Sequence, residues 1–154
     1  MEIEVFYKII KSKCKCYLTE FANFEPQVVT RADYHQNICP DKSHYSYTII
    51  LHYNLNETHS VYLDFSYDPF VEKYYGCGCS IEKEGTYIDI MEYLKYRKLR
   101  SWDNLLGFSN QNTLQPHLDI YLKELNEVLK IEEVQKLLYT DYWIDIPIDM
   151  WPYK

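Results

Sequence analysis

Two cysteine pairs of identical spacing, Cys14/Cys16 and Cys77/Cys79, are the first feature of this sequence that could do chemistry. Four thiolates brought together would suit a tetrahedral zinc ion, with Cys39 or a histidine as substitute ligand. The elements that must position them argue otherwise. Cys14 and Cys16 fall in a segment whose apolar residues Ile3, Phe6, Ile10, Cys14, Tyr17 and Phe21 recur every three or four positions, the spacing of one helix face. Side chains two apart on a helix project about 200° from each other, so the first pair cannot face one ion. Cys77 and Cys79 share the apolar side of a strand, where a free thiol behaves as a small hydrophobe. The total of five is odd and fits a complete disulfide framework poorly. All five are therefore read as thiols, with packing as their role.

A cysteine nucleophile would need a base, and the candidates His35, His44, His52, His59 and His117 form no local signature with any cysteine. His44 and His52 share a strand face but lie about 26 Å apart at strand rise, too far for one metal. Asp64, Asp68 and Glu72, with Asp89 downstream, could seed a carboxylate pair or a cation site. Asp64, however, falls on the solvent side of an amphipathic strand, where a carboxylate is expected anyway. Phosphate-binding, dinucleotide-binding, nucleophile-elbow and zinc-protease motifs are all missing from the sequence. No catalytic residue, metal or cofactor is expected.

Periodicity gives the elements that carry these residues. The first helix should end near Asn23, before Pro26. Residues 27 to 36 read as a strand, followed by a turn-rich stretch with Asn37, Pro40, Asp41 and Ser43. Tyr45, Tyr47, Ile49, Leu51 and Tyr53 alternate with His44, Ser46, Thr48, Ile50 and His52, and after a turn at 54–58 the same period sets Val61, Leu63, Phe65 and Tyr67 inward. A further strand over 74–82 places Cys77, Cys79 and Ile81 on one face and Gly76, Gly78, Ser80 and Glu82 on the other. The two glycines would let another group approach the sheet closely. Asp89, with Glu92 three residues on, can cap a helix running to about Arg100. Residues 101–116 read as a loop, with Pro116 opening the next helix. That helix carries Leu118, Tyr121, Leu122, Leu125, Val128 and Leu129 on one stripe, and a shorter continuation carries Val134, Leu137 and Leu138. These elements predict one α+β domain over residues 1–154. Its antiparallel meander of three to four strands is covered on one face by the N-terminal and C-terminal helices. Residues 139–154 form an extended aromatic and acidic tail.

The formal net charge is −7, which disfavours binding to a nucleic-acid backbone. A small basic stretch of Lys95, Arg97, Lys98 and Arg100 reads as a solvated helix flank with charged partners elsewhere on the surface. The longest aliphatic run is Ile49–Leu51, and the N-terminus lacks the basic and apolar blocks of a leader, so neither membrane nor export is expected and the protein is expected to be cytoplasmic. Tyrosine is the outlier with 17 copies. An AT-rich coding genome would produce that count, and so would an interface built from rings with polar tips. Asp141, Asp145 and Asp149 interleave with Tyr142, Trp143 and Trp151 in the tail. Together with Asp64 and Asp68 they are the candidate partner-binding residues, joining desolvatable anchors to negative charge.

In size, charge and aromatic content the chain is similar to the small acidic immunity proteins encoded beside bacterial toxins, a likeness of profile that transfers no individual residues. It implies a non-enzymatic protein-binding module, an immunity or antitoxin protein that occludes a cognate toxin, with a basic toxin domain as the expected partner. The competing expectations are a small enzyme with a Cys/His or carboxylate site, and a self-associating phage or accessory structural protein.

Overall fold

A computed structural model of the chain describes residues 2–35, 44–68, 76–100 and 114–146. Its elements are α1 (Ile3–Tyr17), a single 3-10 turn (Thr19–Phe21), β1 (Gln27–His35), β2 (His44–Asn54), β3 (His59–Tyr67), β4 (Gly76–Lys83), β5 (Thr86–Asp89), α2 (Ile90–Tyr96), α3 (Leu114–Leu129) and α4 (Glu132–Tyr139). The strands form one antiparallel sheet in the order β1-β2-β3-β4-β5. The helices pack on it, giving the expected two-layer α+β fold. No helix among the described residues is long and apolar enough to cross a membrane.

The period-two alternation decides which face is dry. Ile49, Leu51, Tyr53, Val61, Leu63, Phe65, Tyr67, Cys77, Cys79 and Ile81 are all buried on the helical side. Against them α1 sets Phe6, Ile10 and Cys14, α3 sets its stripe from Leu118 to Leu129, and α4 sets Val134, Leu137 and Leu138. Apolar area removed from water drives this docking at roughly 25 cal/mol per Å². Polar contacts fix the helices laterally. Lys13 pairs with Asp119 at 2.7 Å, and Glu20 accepts from Gln135 and from the Tyr139 hydroxyl. The basic stretch finds its partners on the neighbouring helices, Arg97 with Glu133 and Arg100 with Glu124 and Glu127.

Four features depart from the sequence expectations. The sheet has a fifth strand, since β5 returns after a two-residue turn at Glu84 and Gly85, both with positive φ (49° and 87°). That is the geometry of a primed hairpin turn, whose first position favours Asn or Gly rather than Glu. Glu84→Asn is therefore expected to raise stability by about 0.5–1 kcal/mol in urea unfolding; an unchanged or lowered midpoint would contradict the strained turn. α2 ends at Tyr96, four residues before the expected boundary at Arg100, because Lys98 takes a left-handed conformation (φ 54°) and the Leu99 N–H closes back on the Leu94 carbonyl. This is a glycine-type helix stop made by a lysine, so the usual signal is missing from the sequence. Pro116 is the third residue of α3, which starts at Leu114. Proline is tolerated there because first-turn N–H groups have no intrahelical acceptor. Finally, α1 ends at Tyr17, six residues before the expected boundary near Asn23, and the chain continues into the 3-10 turn Thr19–Phe21.

Candidate functional site

The same alternation that dries one face leaves the other uncovered by any helix among the described residues. Register sets its side chains in rows across the sheet. His52 of β2 stands opposite Tyr62 of β3, Tyr62 opposite Ser80 of β4, and Ser80 opposite Asp89 of β5. The adjacent rows hold Ile50, Asp64 and Gly78, and Ser60, Glu82 and Tyr87. The His52 and Tyr62 rings stack at 4.3 Å with 12° between planes, and the Tyr87 ring lies 6.0 Å beyond Tyr62. Three strands thus contribute to one aromatic ladder.

Carboxylates line the ladder. The Glu82 carboxylate raises the pKa of both the Tyr62 and the Tyr87 phenol, and that of Tyr62 is pushed up to about 12, first by loss of water and then by this carboxylate. Asp64 lies directly over Gly78, occupying the space a Cβ there would fill. The close approach that the glycine pair of β4 invites is thus made by an aspartate from the next strand. The Asp64 side chain remains open to solvent above, but the sheet around its base removes enough water to raise its pKa, and the Asp89 charge nearby adds to the rise. Asp89 is itself raised by desolvation, an effect opposed by the backbone N–H groups of Glu92 and Met91. It also caps α2, accepting from the Glu92 N–H at 3.0 Å, so its carboxylate has a structural job as well as a place on the open face.

The sign of the Asp64 shift gives a prediction. A carboxylate whose folded pKa is raised costs stability once pH passes that folded value, and costs nothing below the ordinary aspartate range, where both states are protonated. Asp64→Asn is expected to raise the unfolding midpoint at pH 7 and to bring no gain near pH 3. A destabilised variant at pH 7 would show that the carboxylate holds the sheet together.

Three of the four described thiols take the packing role, and Cys39 lies outside the described residues. Cys14, Cys77 and Cys79 are buried and Cys16 is exposed, as opposite projection from α1 requires. Burial pushes the Cys14 thiol up to about 12 and those of Cys77 and Cys79 well above their ordinary value. Such thiols carry almost no thiolate at neutral pH. In a Cys39→Ser chain, Cys16 is expected to react with a thiol reagent at least about 100-fold faster than the other three. Fast labelling of two or more thiols in the folded state would contradict their burial. Among the described residues no three His, Cys, Asp or Glu side chains converge as a metal site would require.

The partner-binding residues expected from sequence divide between two sides of the molecule. Asp64 is on the open face. Asp68 is buried at the end of β3, 6% exposed. The described part of the tail, residues 139–146, packs on the core, with Tyr142 and Trp143 half-buried against it and Lys83 donating to the Asp141 carbonyl at 2.9 Å. The carboxylates of Asp141 and Asp145 face water. Asp149 and Trp151 lie outside the described residues, as does Glu72. From sequence, Asp89 is named beside Asp64 only as a candidate carboxylate pair, and Glu82 and Tyr87 are not connected with them; the signal that joins all four is the strand register.

A concavity of about 380 Å³ opens between α1, the 3-10 turn and the sheet, lined by Tyr7, Phe21, Phe24, Val28 and Tyr53 with Lys11 and Lys15 among its walls. No family model, curated protein or solved structure matches the chain.

Proposed function

We propose that the chain is a non-enzymatic protein-binding module whose open sheet face receives a basic protein partner, in the way an immunity or antitoxin protein occludes a toxin. The supporting observation is the concentration of Asp64, Glu82 and Asp89 around the His52–Tyr62–Tyr87 ladder on a face that no helix among the described residues covers. An arginine of the partner can lie flat on a tyrosine ring while its fork of N–H groups meets a neighbouring carboxylate. Fixed strands hold these anchors in place, so little side-chain entropy is lost on binding. Phosphate backbones would meet like charge there and be repelled. Asp64 adds a strengthening term. Its carboxylate is underhydrated before binding, and an incoming cation supplies the stabilisation that water does not.

The test is genetic and direct. Each reading frame flanking the gene is expressed with and without this chain in a host cell. One of them is expected to arrest growth alone and to be neutralised by the chain, forming a complex that survives gel filtration at moderate salt. If no flanking product is toxic, or a toxic one is not relieved, the immunity reading is overturned.

A further inference from the structure

Among the described residues nothing pairs with the outer edge of β1. Natural edge strands are blunted by proline, bulges, lysine or brevity, because their free N–H and C=O groups otherwise template pairing with another chain. β1 is nine residues long and keeps unbroken register with β2 from Gln27 to His35. It contains no proline, glycine or lysine, and among the described residues it is paired on one side only. The other edge of the sheet, β5, has four residues and turns at once into α2. Apolar groups cluster at the long edge: Val29, Tyr34 and the adjacent Tyr45 are 54, 56 and 50% exposed, and the two tyrosine rings lie 5.2 Å apart.

The residues of β1 also select an occupant. When a strand pairs antiparallel with a second copy of itself about a twofold axis, directly opposed side chains share a face, so the axis must pass through a residue position. Centred on Ala32, the pairing sets Arg31 opposite Asp33 of the second copy, and symmetry repeats the contact. Centred on Arg31 or on Asp33, it sets like charges opposite each other, which is unfavourable. The Ala32 register also brings Thr30 opposite Tyr34 of the second copy on the helical face, a β-branched residue against an aromatic ring. Within one chain Arg31 Nε already donates to Asp33 Oδ2 at 3.0 Å, so both charges stand on one face, and the guanidinium keeps further N–H groups for the facing carboxylate.

We propose that the protein forms a twofold dimer through β1, centred on Ala32, with reciprocal Arg31–Asp33 pairs joining the two sheets into one. The axis is perpendicular to the sheet, so both helical layers fall on one side and both open faces on the other, leaving the latter free. This pairing does not depend on the function proposed above. Sedimentation velocity over a concentration series tests it with three variants. Wild type is expected to dimerise, Arg31→Asp and Asp33→Arg each to weaken dimerisation at least about 10-fold by facing like charges, and the exchanged double variant R31D/D33R to restore it. Circular dichroism on each variant separates loss of pairing from loss of folding. A wild-type chain that stays monomeric at hundreds of micromolar overturns the proposal. So does a dimer indifferent to the single reversals, or a double variant that fails to recover.

Discussion

Asp64→Lys combined with Glu82→Lys is expected to weaken binding of a basic partner at least about 100-fold, with the folded state intact. The magnitude follows from the chemistry of the face. Each reversal replaces an attractive charge contact with a repulsive one at the centre of the ladder, and truncating one partner of a desolvated charge pair already costs about 2 kcal/mol or more. Two such changes exceed the two decades of affinity claimed. Stability should change little. Asp64 is already disfavoured as an anion by the sheet around it, and Glu82 supports two exposed or half-exposed phenols rather than the core. The control is Glu57→Lys with Glu132→Lys, which makes the same change in net charge at exposed positions off the face. Calorimetric titration with an arginine-rich peptide separates the cases. Equal weakening in the two double variants would mean that overall charge, not this surface, attracts the ligand.

Phe6→Ala carries the largest expected cost in stability. The ring is fully buried, 5.2 Å from that of Tyr67 and tilted 31° to it, where α1 meets the sheet. Removing a buried phenylalanine leaves a cavity and costs about 3–5 kcal/mol, a large part of the roughly 5–15 kcal/mol by which a domain is stable. Urea unfolding measures it through the shift in midpoint. A loss below about 1 kcal/mol would show that α1 is not docked on the sheet as described.

These two predictions mark the two kinds of information in the sequence. Phe6 was legible, because a core position repeats with the period of its own helix, and Ile10 and Cys14 follow it on the same face. The alternation of β2, β3 and β4 was legible for the same reason and assigned the thiols of Cys77 and Cys79 to the dry side, where they lie. Asp89 announced itself as a cap because the acceptor and the N–H it serves are three residues apart. β5 escaped because four residues are too few to establish a period, and its last residue doubles as that cap. The open face escaped for a deeper reason. Tyr62 meets His52, and Glu82 meets Tyr87, through register between strands, and no spacing along a single segment encodes it. Aspartates in the tail attracted notice because they interleave with aromatics locally. The comparable mixture on the sheet is assembled from β2, β3, β4 and β5 and is visible only once they are laid side by side.

The most direct test is amide and side-chain NMR of the ¹⁵N-labelled chain titrated with the arginine-rich peptide as a defined probe or with any flanking product that proves toxic in the growth test. The largest shifts should fall on Tyr62, Asp64, Ser80, Glu82 and Tyr87, with α3 and α4 unmoved. Shifts confined to the helical side, or to Asp141–Ile146, would contradict the assignment of the open sheet face as the binding surface.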